Sequence, residues 1–277
     1  MRDFTTVFGV DRRHLEQLSV TWPTIVRHKR DIAESPIVVF YDKADVKRKH
    51  VVDLIRSDKL VTVPWPPPGV TYEGDPDDKW THPQRYKMLA GFVHVPALYV
   101  KTQYWLKIDT DVVAHPCCNW IRDDWFNNEQ TRYGKIKPAI VCHRWTFTKP
   151  ADQFLKLDKW VSDHRLLDAI FCDTRPISEV IGVPEEGAER IGHKRIISWC
   201  GFFSTDLSYL CHQLATMTHG DGKLPVPSQD GYMWYVAARL GLAIRRVNMK
   251  NRGWSQWLRE SAIRKDAADS LREPGNL

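Results

Sequence analysis

The alternation of apolar, β-prone runs with helical segments most constrains the fold. Runs at 5–10, 37–42 and 60–65 are predicted strands, and the second of them, IVVFYD, is apolar almost throughout. Continuous apolar strands are typical of sheets covered on both faces. The helical segments between them are interrupted at Pro23 in the first case and begin at Asp45, a plausible N-cap, in the second. The pattern predicts a doubly wound α/β fold with a mostly parallel sheet flanked by helices.

The second half of the chain is less regular. Strands are predicted at 137–148, 194–205 and 242–249, with helical segments between them. Proline-rich sequence precedes one of these helices, which is predicted to start at Ser228 or Asp230. The alternation therefore continues, with longer connections.

Length and composition indicate one large domain. The chain has 277 residues, of which 43% are hydrophobic and 27% are charged, as is ordinary for a globular protein. We divide it into a first half at 1–115, a second half of the same domain at 116–255, and a charged helical tail at 256–277. The tail is expected to fray because it is rich in charged residues.

Composition also bears on location and partners. No apolar run approaches the roughly 20 residues that a membrane span needs, and the N-terminus MRDFTTVFGV is too short and charged for a secretory signal. We therefore expect a cytoplasmic protein. Its six cysteines lack paired zinc spacing and are predicted to be free thiols. The net charge of +6 favours anionic partners.

Two carboxylates, Asp109 and Asp111, lie in the apolar run YWLKIDTDVV at 104–113. On an extended strand, alternate residues point to the same side, so both carboxylates would face one spot. They would repel each other unless a cation lay between them. Mg²⁺ or Mn²⁺ carrying a diphosphate would satisfy them, since these metals prefer hard oxygen ligands. A solvated turn is the alternative, which the apolar flanks Trp105 and Val113 disfavour.

Ligands of a doubly wound sheet bind beyond the carboxyl ends of its strands. Gly9, Asp42 and Asp109 fall at such ends and are expected to line one crevice. The sequence contains neither Gly-x-Gly-x-x-Gly nor a Walker A segment. A dinucleotide dehydrogenase and a P-loop enzyme are therefore disfavoured.

The order of these features resembles the GT-A type of glycosyltransferase. The matching segments are TTVFGV, IVVFYD, KIDTDVV, SWCGFFSTD and SQDGYMWYVAARLG, and the resemblance extends from about Thr5 to Val247. It implies a Rossmann-like, mostly parallel sheet with a nucleotide-sugar-binding first half and an acceptor-binding second half. The chain also looks like small glycosyltransferases of phages and bacteria, and a phage protein would act in the host cytoplasm.

The resemblance implies a role for each matching residue. Asp109 and Asp111 would hold Mn²⁺ or Mg²⁺, and the metal would neutralise the leaving diphosphate of the donor, most simply a UDP-sugar. Asp230 would be the general base of an inverting transfer, unless it is only a helix N-cap. The donor contacts would be Phe8, Gly9, Asp42, Arg85, Lys87, Asp109, Trp199 and Gly201.

Some of these residues have ordinary structural alternatives. Asp42 suits a capping or loop role as well as a ligand contact, and Arg85 and Lys87 suit a solvated helix end. The chain also departs from many GT-A enzymes, which use a histidine near the C-terminus as a further metal ligand. No histidine follows His219 here. The metal would have fewer protein ligands or use one of Asn248, Lys250, Asn251 and Trp254, which favours inversion.

The acceptor and the reaction class stay open at this point. The acceptor is expected to be a glycan or a hydroxylated base in phage DNA, the latter suggested by the positive charge and the twelve tryptophans. A nucleotidyltransferase also uses paired aspartates and a metal, but the segment FGVDRRH offers Arg12 and Arg13 with only one glycine. A non-catalytic nucleotide-binding module is the third possibility. The oligomeric state is not predicted.

Overall fold

The structure is a computed structural model, and it describes residues 3–77, 82–117, 119–143, 152–171, 173–180, 200–220, 222–226, 228–257 and 259–273. Its centre is a seven-stranded sheet made of β1 (Phe4–Val10), β2 (Ile37–Asp42), β3 (Leu60–Trp65), β4 (Tyr104–Ile108), β8 (Ile140–His143), β9 (Cys200–Ser204) and β10 (Ile244–Val247). Two small pairs join β5 (Val112–Ala114) to β11 (Trp254–Gln256) and β6 (Glu129–Thr131) to β7 (Gly134–Ile136). The described helices are α1 (Arg12–His28), α2 (Arg30–Glu34), α3 (Arg48–Ile55), α4 (Pro83–Tyr99), α5 (Asp152–Asp163), α6 (Ile177–Val180), α7 (Thr205–His219), α8 (Gln229–Arg239) and α9 (Glu260–Arg272).

The strand order is β10-β8-β9-β4-β1-β2-β3. β1 pairs in parallel with β2 on one side and with β4 on the other, whereas β9 runs antiparallel to β4 and β8. The chain therefore reverses its winding direction between β1 and β4. A crevice opens beyond the carboxyl ends of the strands at such a switch point, and Asp109 directly follows β4 there.

Two hydrophobic clusters cover the two faces of the sheet. Alternate residues of a strand point to opposite faces, so Val7, Phe40 and Trp105 pack with α4, α7 and α8, whereas Phe8 and Leu106 pack with α1 and α3. The predicted class, an α/β fold with a mostly parallel sheet flanked by helices, is therefore confirmed.

Two local predictions are wrong. α1 continues through Pro23 to its end at His28, because the residues on both sides of the proline are buried and hold the helix on the sheet. The N-cap of α3 is Lys47, not Asp45. The Asp45 carboxylate instead accepts a hydrogen bond from the backbone N–H of Arg12 at 3.3 Å.

The C-terminal segment is packed, contrary to the expectation that it frays. α9 lies against α1 and β5, and its Ile263 and Ala267 are only 1% and 2% exposed. The Ser270 hydroxyl donates a hydrogen bond to the backbone oxygen of Ala114 at 2.6 Å. The segment from β11 to α9 thus belongs to the same folded unit as the sheet.

Two composition-based expectations bear on the described part of the chain. None of its helices has both the length and the apolar character that spanning a bilayer requires. Its four cysteines, Cys117, Cys142, Cys200 and Cys211, are free thiols, as predicted.

Gly9 is required by packing. The ring of Phe40 fills the space beside both Gly9 and Gly91, and a methyl group at either glycine would overlap the ring. Changing Gly9 to alanine should therefore lower the free energy of unfolding by about 1–3 kcal/mol through overpacking. Urea unfolding measures the loss, and Phe40→Leu in the same chain should restore part of it. A Gly9→Ala protein as stable as the parent would contradict this packing role.

Candidate active site

Asp109 and Asp111 lie in the turn that joins β4 to β5. Between them, the Thr110 hydroxyl donates a hydrogen bond to Gln17 Oε1 at 2.9 Å, and the Thr110 carbonyl accepts one from the Thr21 hydroxyl at 3.0 Å. These two hydrogen bonds anchor the turn to α1. β4 ends at Ile108, so Asp109 follows a strand end as predicted, but the expectation that Asp109 and Asp111 share one extended strand is wrong. The turn, and not strand alternation, brings the two carboxylates together.

A buried ammonium group lies beside this turn. Lys107 Nζ is 2.8 Å from Asp109 Oδ1, 3.8 Å from Asp230 Oδ1 and 4.9 Å from the centroid of the Phe92 ring. The Lys107 side chain is only 3% exposed. Burial alone would lower its pKa, but the charges of Asp109, Asp230 and Asp111 raise the pKa above its ordinary value. Lys107 is therefore charged and joins a predicted metal ligand to the predicted base.

Asp230 lies in the first turn of α8, but it is not the N-cap of that helix. The capping residue is Ser228, whose hydroxyl accepts a hydrogen bond from the backbone N–H of Gly231 at 3.2 Å. The alternative role for Asp230, a helix cap, is therefore excluded. Its side chain is 17% exposed and is accessible to a bound molecule.

Gly201 lies directly across the sheet from the lysine. The register pairs Lys107 of β4 with Gly201 of β9, and Gly201 with Cys142 of β8. Directly paired residues share a face of the sheet. Burial first, and then the charge of Asp230, raise the pKa of the Cys142 thiol, so Asp230 lies near both ends of this row. The predicted contact of Gly201 with the donor sugar stays a prediction.

Asp111 is half-buried and meets the C-terminal part of the chain. Gln256 Nε2 lies 3.2 and 3.4 Å from the two carboxylate oxygens and donates to them. Burial, followed by the charge of Asp109, raises the pKa of Asp111 to about 6. Burial also raises the pKa of Asp109, against the opposing effect of Lys107. Both groups would be stabilised in their ionised form by a cation.

These side chains suit one divalent metal ion. Three carboxylates, Asp109, Asp111 and Asp230, and one ammonium, Lys107, give a formal charge of −3 + 1 = −2. Carboxylate oxygens suit Mg²⁺ and Mn²⁺. The described residues contain no group of three or more His, Cys, Asp or Glu side chains placed to bind a metal. The ion would therefore complete its shell with phosphate oxygens and water, as Mg²⁺ commonly does.

A second set of polar side chains lines the carboxyl ends of β1 and β2. Asp42 Oδ2 accepts hydrogen bonds from Lys87 and from Gln84 Nε2, the latter at 2.8 Å. Gln84 also donates to Asp11 Oδ2 at 3.3 Å, and Asp11 Oδ1 lies 2.7 Å from His14 Nδ1. Asp42 and Lys87, predicted as separate donor contacts, thus form an ion pair. Asp42 is only 2% exposed, and its contact with a nucleotide stays a prediction.

The remaining predicted donor contacts differ in their surroundings. The ring of Phe8 is fully buried in the core, and the ring of Phe40 occupies the space where a side chain at Gly9 would lie. Any contact of these two residues with a base or ribose would therefore be made by their backbone, and it stays a prediction. Arg85 is half-buried in the first turn of α4, and its phosphate contact stays a prediction. Trp199 lies outside the described residues.

The sequence pattern does not indicate three residues of this region. Lys107 had one available signal, a charged residue within an otherwise apolar strand. His14, whose charge would lower the pKa of both Asp109 and Asp111, resembles any residue of a first helical turn. Gln256 lies 145 residues from its partner Asp111, and no local pattern links the two.

Replacing Lys107 with methionine should lower the free energy of unfolding by about 3 kcal/mol near pH 8, because removing one partner of a buried ion pair leaves the other uncompensated. Near pH of about 5 the loss should be smaller, since Asp111 and Asp109 have raised pKa values and then carry less charge. Urea unfolding at both pH values measures this. Exposed Lys101→Met is the control, and an equal loss at both pH values would contradict the electrostatic explanation.

Comparison with known proteins shows a shared fold. No protein-family model matches the sequence, and no curated protein sequence does so either. The structure is similar to core-mannan synthase A from Aspergillus fumigatus in its Mn/GDP form, with 13% identity, 88% of this chain and 70% of that chain covered, and a TM-score of 0.51.

Two further solved structures are similar to it. The mannosyltransferase Ktr4p from S. cerevisiae in complex with GDP is 11% identical, with 92% of this chain and 71% of that chain covered and a TM-score of 0.57. The galactosyltransferase LgtC, in complex with donor and acceptor sugar analogs, is 9% identical, with 98% of each chain covered and a TM-score of 0.52. The seven-stranded sheet with its single antiparallel strand, together with these matches, shows that the chain has the GT-A fold of glycosyltransferases.

Proposed function

We propose that the protein is a metal-dependent glycosyltransferase that moves a sugar from a nucleoside diphosphate donor to an acceptor hydroxyl. One observation carries the proposal. Asp109, Asp111 and Asp230 gather around the buried Lys107 beyond the carboxyl end of β4, where a doubly wound sheet binds its ligand. The GT-A fold supports the same reaction class.

Asp109 and Asp111 are the residues that hold the metal. When bound there, Mn²⁺ or Mg²⁺ supplies positive charge to the diphosphate as it leaves. Lys107 keeps Asp109 in place through its 2.8 Å contact with Oδ1. It adds a fixed positive charge to the floor of the site without needing reorganisation during the reaction.

Asp230 serves as the general base. The acceptor oxygen attacks the anomeric carbon, the bond from that carbon to the diphosphate oxygen breaks with its electron pair on the diphosphate, and the acceptor proton passes to Asp230. Lys107 lies 3.8 Å from Asp230 Oδ1 and helps to hold the carboxylate in place. This arrangement corresponds to inversion at the anomeric carbon.

The donor is a nucleoside diphosphate sugar. UDP-sugars are the class expected from the sequence, and two similar structures were solved with GDP. Both nucleotides therefore belong in the first test.

The acceptor is a glycan or a hydroxylated base in DNA. Exposed Lys43, Lys47 and Lys49 follow the carboxyl end of β2 and add positive charge at that edge of the crevice, which favours a polyanion. Duplex containing hydroxylated bases should then bind with a strong salt dependence. Absence of binding at low salt would leave the glycan as the acceptor.

Donor hydrolysis is the direct test of the proposal. The protein is incubated with Mn²⁺ and a panel of UDP- and GDP-sugars, and release of free nucleoside diphosphate is measured with and without EDTA. Metal-dependent release supports the proposal. Neither binding nor release across the panel would overturn it, and pyrophosphate release from a nucleoside triphosphate would identify a nucleotidyltransferase instead.

A further inference from the structure

The geometry points to Gln256 as a third side-chain ligand of the divalent cation, through its amide oxygen. This inference rests on the proposed metal site and extends it to a residue from the other end of the chain. Gln256 makes its described side-chain contacts with the two oxygens of Asp111, at 3.2 and 3.4 Å.

Strand pairing fixes where Gln256 lies. β11 runs antiparallel to β5, and the register pairs Trp254 with Ala114 and Gln256 with Val112. Asp111 is the residue immediately before Val112, so the side chain of Gln256 lies at the end of the ladder, next to the acidic turn. The backbone N–H of Trp257 also lies 3.4 Å from the Asp111 carbonyl oxygen. The position of Gln256 therefore follows from the backbone.

Contacts elsewhere in the segment anchor β11 without using the Gln256 side chain. Lys29 Nζ donates hydrogen bonds to the carbonyl oxygens of His115 and Arg252, at 2.8 and 3.1 Å. The same ammonium group lies 5.2 Å from the ring centroid of Trp254, which is 2% exposed. The backbone N–H of His115 donates to the Gly253 carbonyl oxygen at 2.8 Å. A substitution of Gln256 should therefore leave the strand in place.

The chemistry of the amide allows it to bind the cation. The NH₂ end of Gln256 faces the carboxylate of Asp111. A half-turn of the amide exchanges NH₂ for the carbonyl oxygen with little change of shape. A cation on Asp111 would repel the NH₂ end and attract the oxygen, and side-chain carbonyl oxygens are ordinary ligands of hard divalent cations.

The charge of the site explains why a neutral third ligand suffices. Lys107 already occupies Asp109 Oδ1, so Asp109 offers its other oxygen, and Asp111 and Gln256 offer theirs. The formal charge of −2 given by the three carboxylates and Lys107 already matches a divalent ion. An all-oxygen set also favours Mn²⁺ or Mg²⁺ over Zn²⁺, which prefers nitrogen and sulfur.

Mn²⁺ binding to the protein, with and without uridine diphosphate, tests the inference by the loss of the free-ion electron paramagnetic resonance signal. Gln256→Ala should weaken Mn²⁺ binding about 10-fold or more, the size seen when groups around a bound metal are removed, and Gln256→Glu should strengthen it. Gln130→Ala is the matched control, since Gln130 is exposed and donates to Thr131. Circular dichroism of each metal-free variant checks folding.

The outcomes separate this inference from the proposed function. If the parent protein binds Mn²⁺, Asp111→Asn does not, and Gln256→Ala binds as tightly as the parent, the inference is overturned and the metal site stands. If the parent protein binds no Mn²⁺ under either condition, both fail. Weaker binding in Gln256→Ala with an unchanged spectrum supports the inference.

Discussion

Replacing Asp111 with asparagine should lower metal-dependent turnover of the nucleotide sugar by at least about 100-fold, the effect typical of losing one main electrostatic group of a catalytic site. Among the described residues, Asp109 has an ion pair with Lys107, whereas the side-chain partner of Asp111 is the neutral Gln256. The charge of Asp111 is therefore the one that a bound cation would stabilise most. Initial rates at saturating Mn²⁺ measure the loss. Turnover within a fewfold of the parent would remove Asp111 from the metal site.

The same substitution should make the metal-free protein more stable at neutral pH. Burial raises the pKa of Asp111 from its ordinary value of 3.8 to about 6. The protonated carboxyl group therefore stabilises the folded state, and this contribution is complete at pH values below the ordinary pKa. That contribution is lost as the pH rises through 6. The difference of about two pKa units corresponds to about 2–3 kcal/mol. Asparagine does not ionise, so the Asp111→Asn protein does not lose this contribution. Its free energy of unfolding should exceed that of the parent increasingly from about pH 4 to 6, and the difference should remain at higher pH.

Urea unfolding of both proteins in EDTA, from acid to neutral pH, measures this advantage. Asp124→Asn is a suitable control, because the Asp124 side chain is 47% exposed and paired with Arg122. An Asp111→Asn protein that is inactive because it is unfolded would be less stable at every pH. The pair of results, lost turnover with gained stability, distinguishes a ligand-binding carboxylate from a structural one.

Replacing Asp230 with asparagine should lower kcat for sugar transfer by about 10²–10⁴-fold, the usual contribution of a general base. Mn²⁺ and nucleoside diphosphate affinity should fall much less than kcat, because the metal ligands Asp109 and Asp111 are unchanged. Ser228 caps α8, so the helix start does not depend on Asp230. The carboxylate also contacts Lys107 at 3.8 Å, and the asparagine oxygen keeps a partner for that ammonium group.

Transfer kinetics with separate kcat and KM values provide the measurement for Asp230. Asp206→Asn is the matched control, since Asp206 also lies in the first turn of a helix, α7, but is exposed. A variant that loses donor affinity but keeps kcat would show that Asp230 binds the donor. Full activity would exclude it as the base.

Most of the fold could be predicted because the residues that each strand or helix buries form a pattern within a short stretch of sequence. The run IVVFYD at Ile37–Asp42 matches β2 residue for residue, and LVTVPW matches β3. Apolar runs of strand length and periodic helices carry this information without reference to the rest of the chain. The strand end at Asp109 was predicted, but the turn that follows was not, because Gln17 and Thr21 of α1 hold it and are distant in sequence.

The site was predicted in part, and the division has a physical reason. Asp109, Asp111 and Asp230 lie in short sequence motifs and could be predicted from them. The side chains that affect their pKa values are brought to them by tertiary packing. Lys107 is recognisable as part of the site only once β4, β9 and α8 are assembled around it. Gln256 reaches Asp111 through a strand pair that no short-range pattern predicts.

Hydrogen bonds and packing contacts between α1 and α9 join segments that are far apart in the sequence. Arg27 and His28 reach across 246 and 242 residues to the backbone of Glu273 and Ser270. During synthesis, β11 can already pair with β5, whereas α9 emerges later and packs against α1 and β5. In a nascent chain, the surface of Val20 and Val113 that Ile263 and Ala267 cover would therefore stay open to water until α9 has been added.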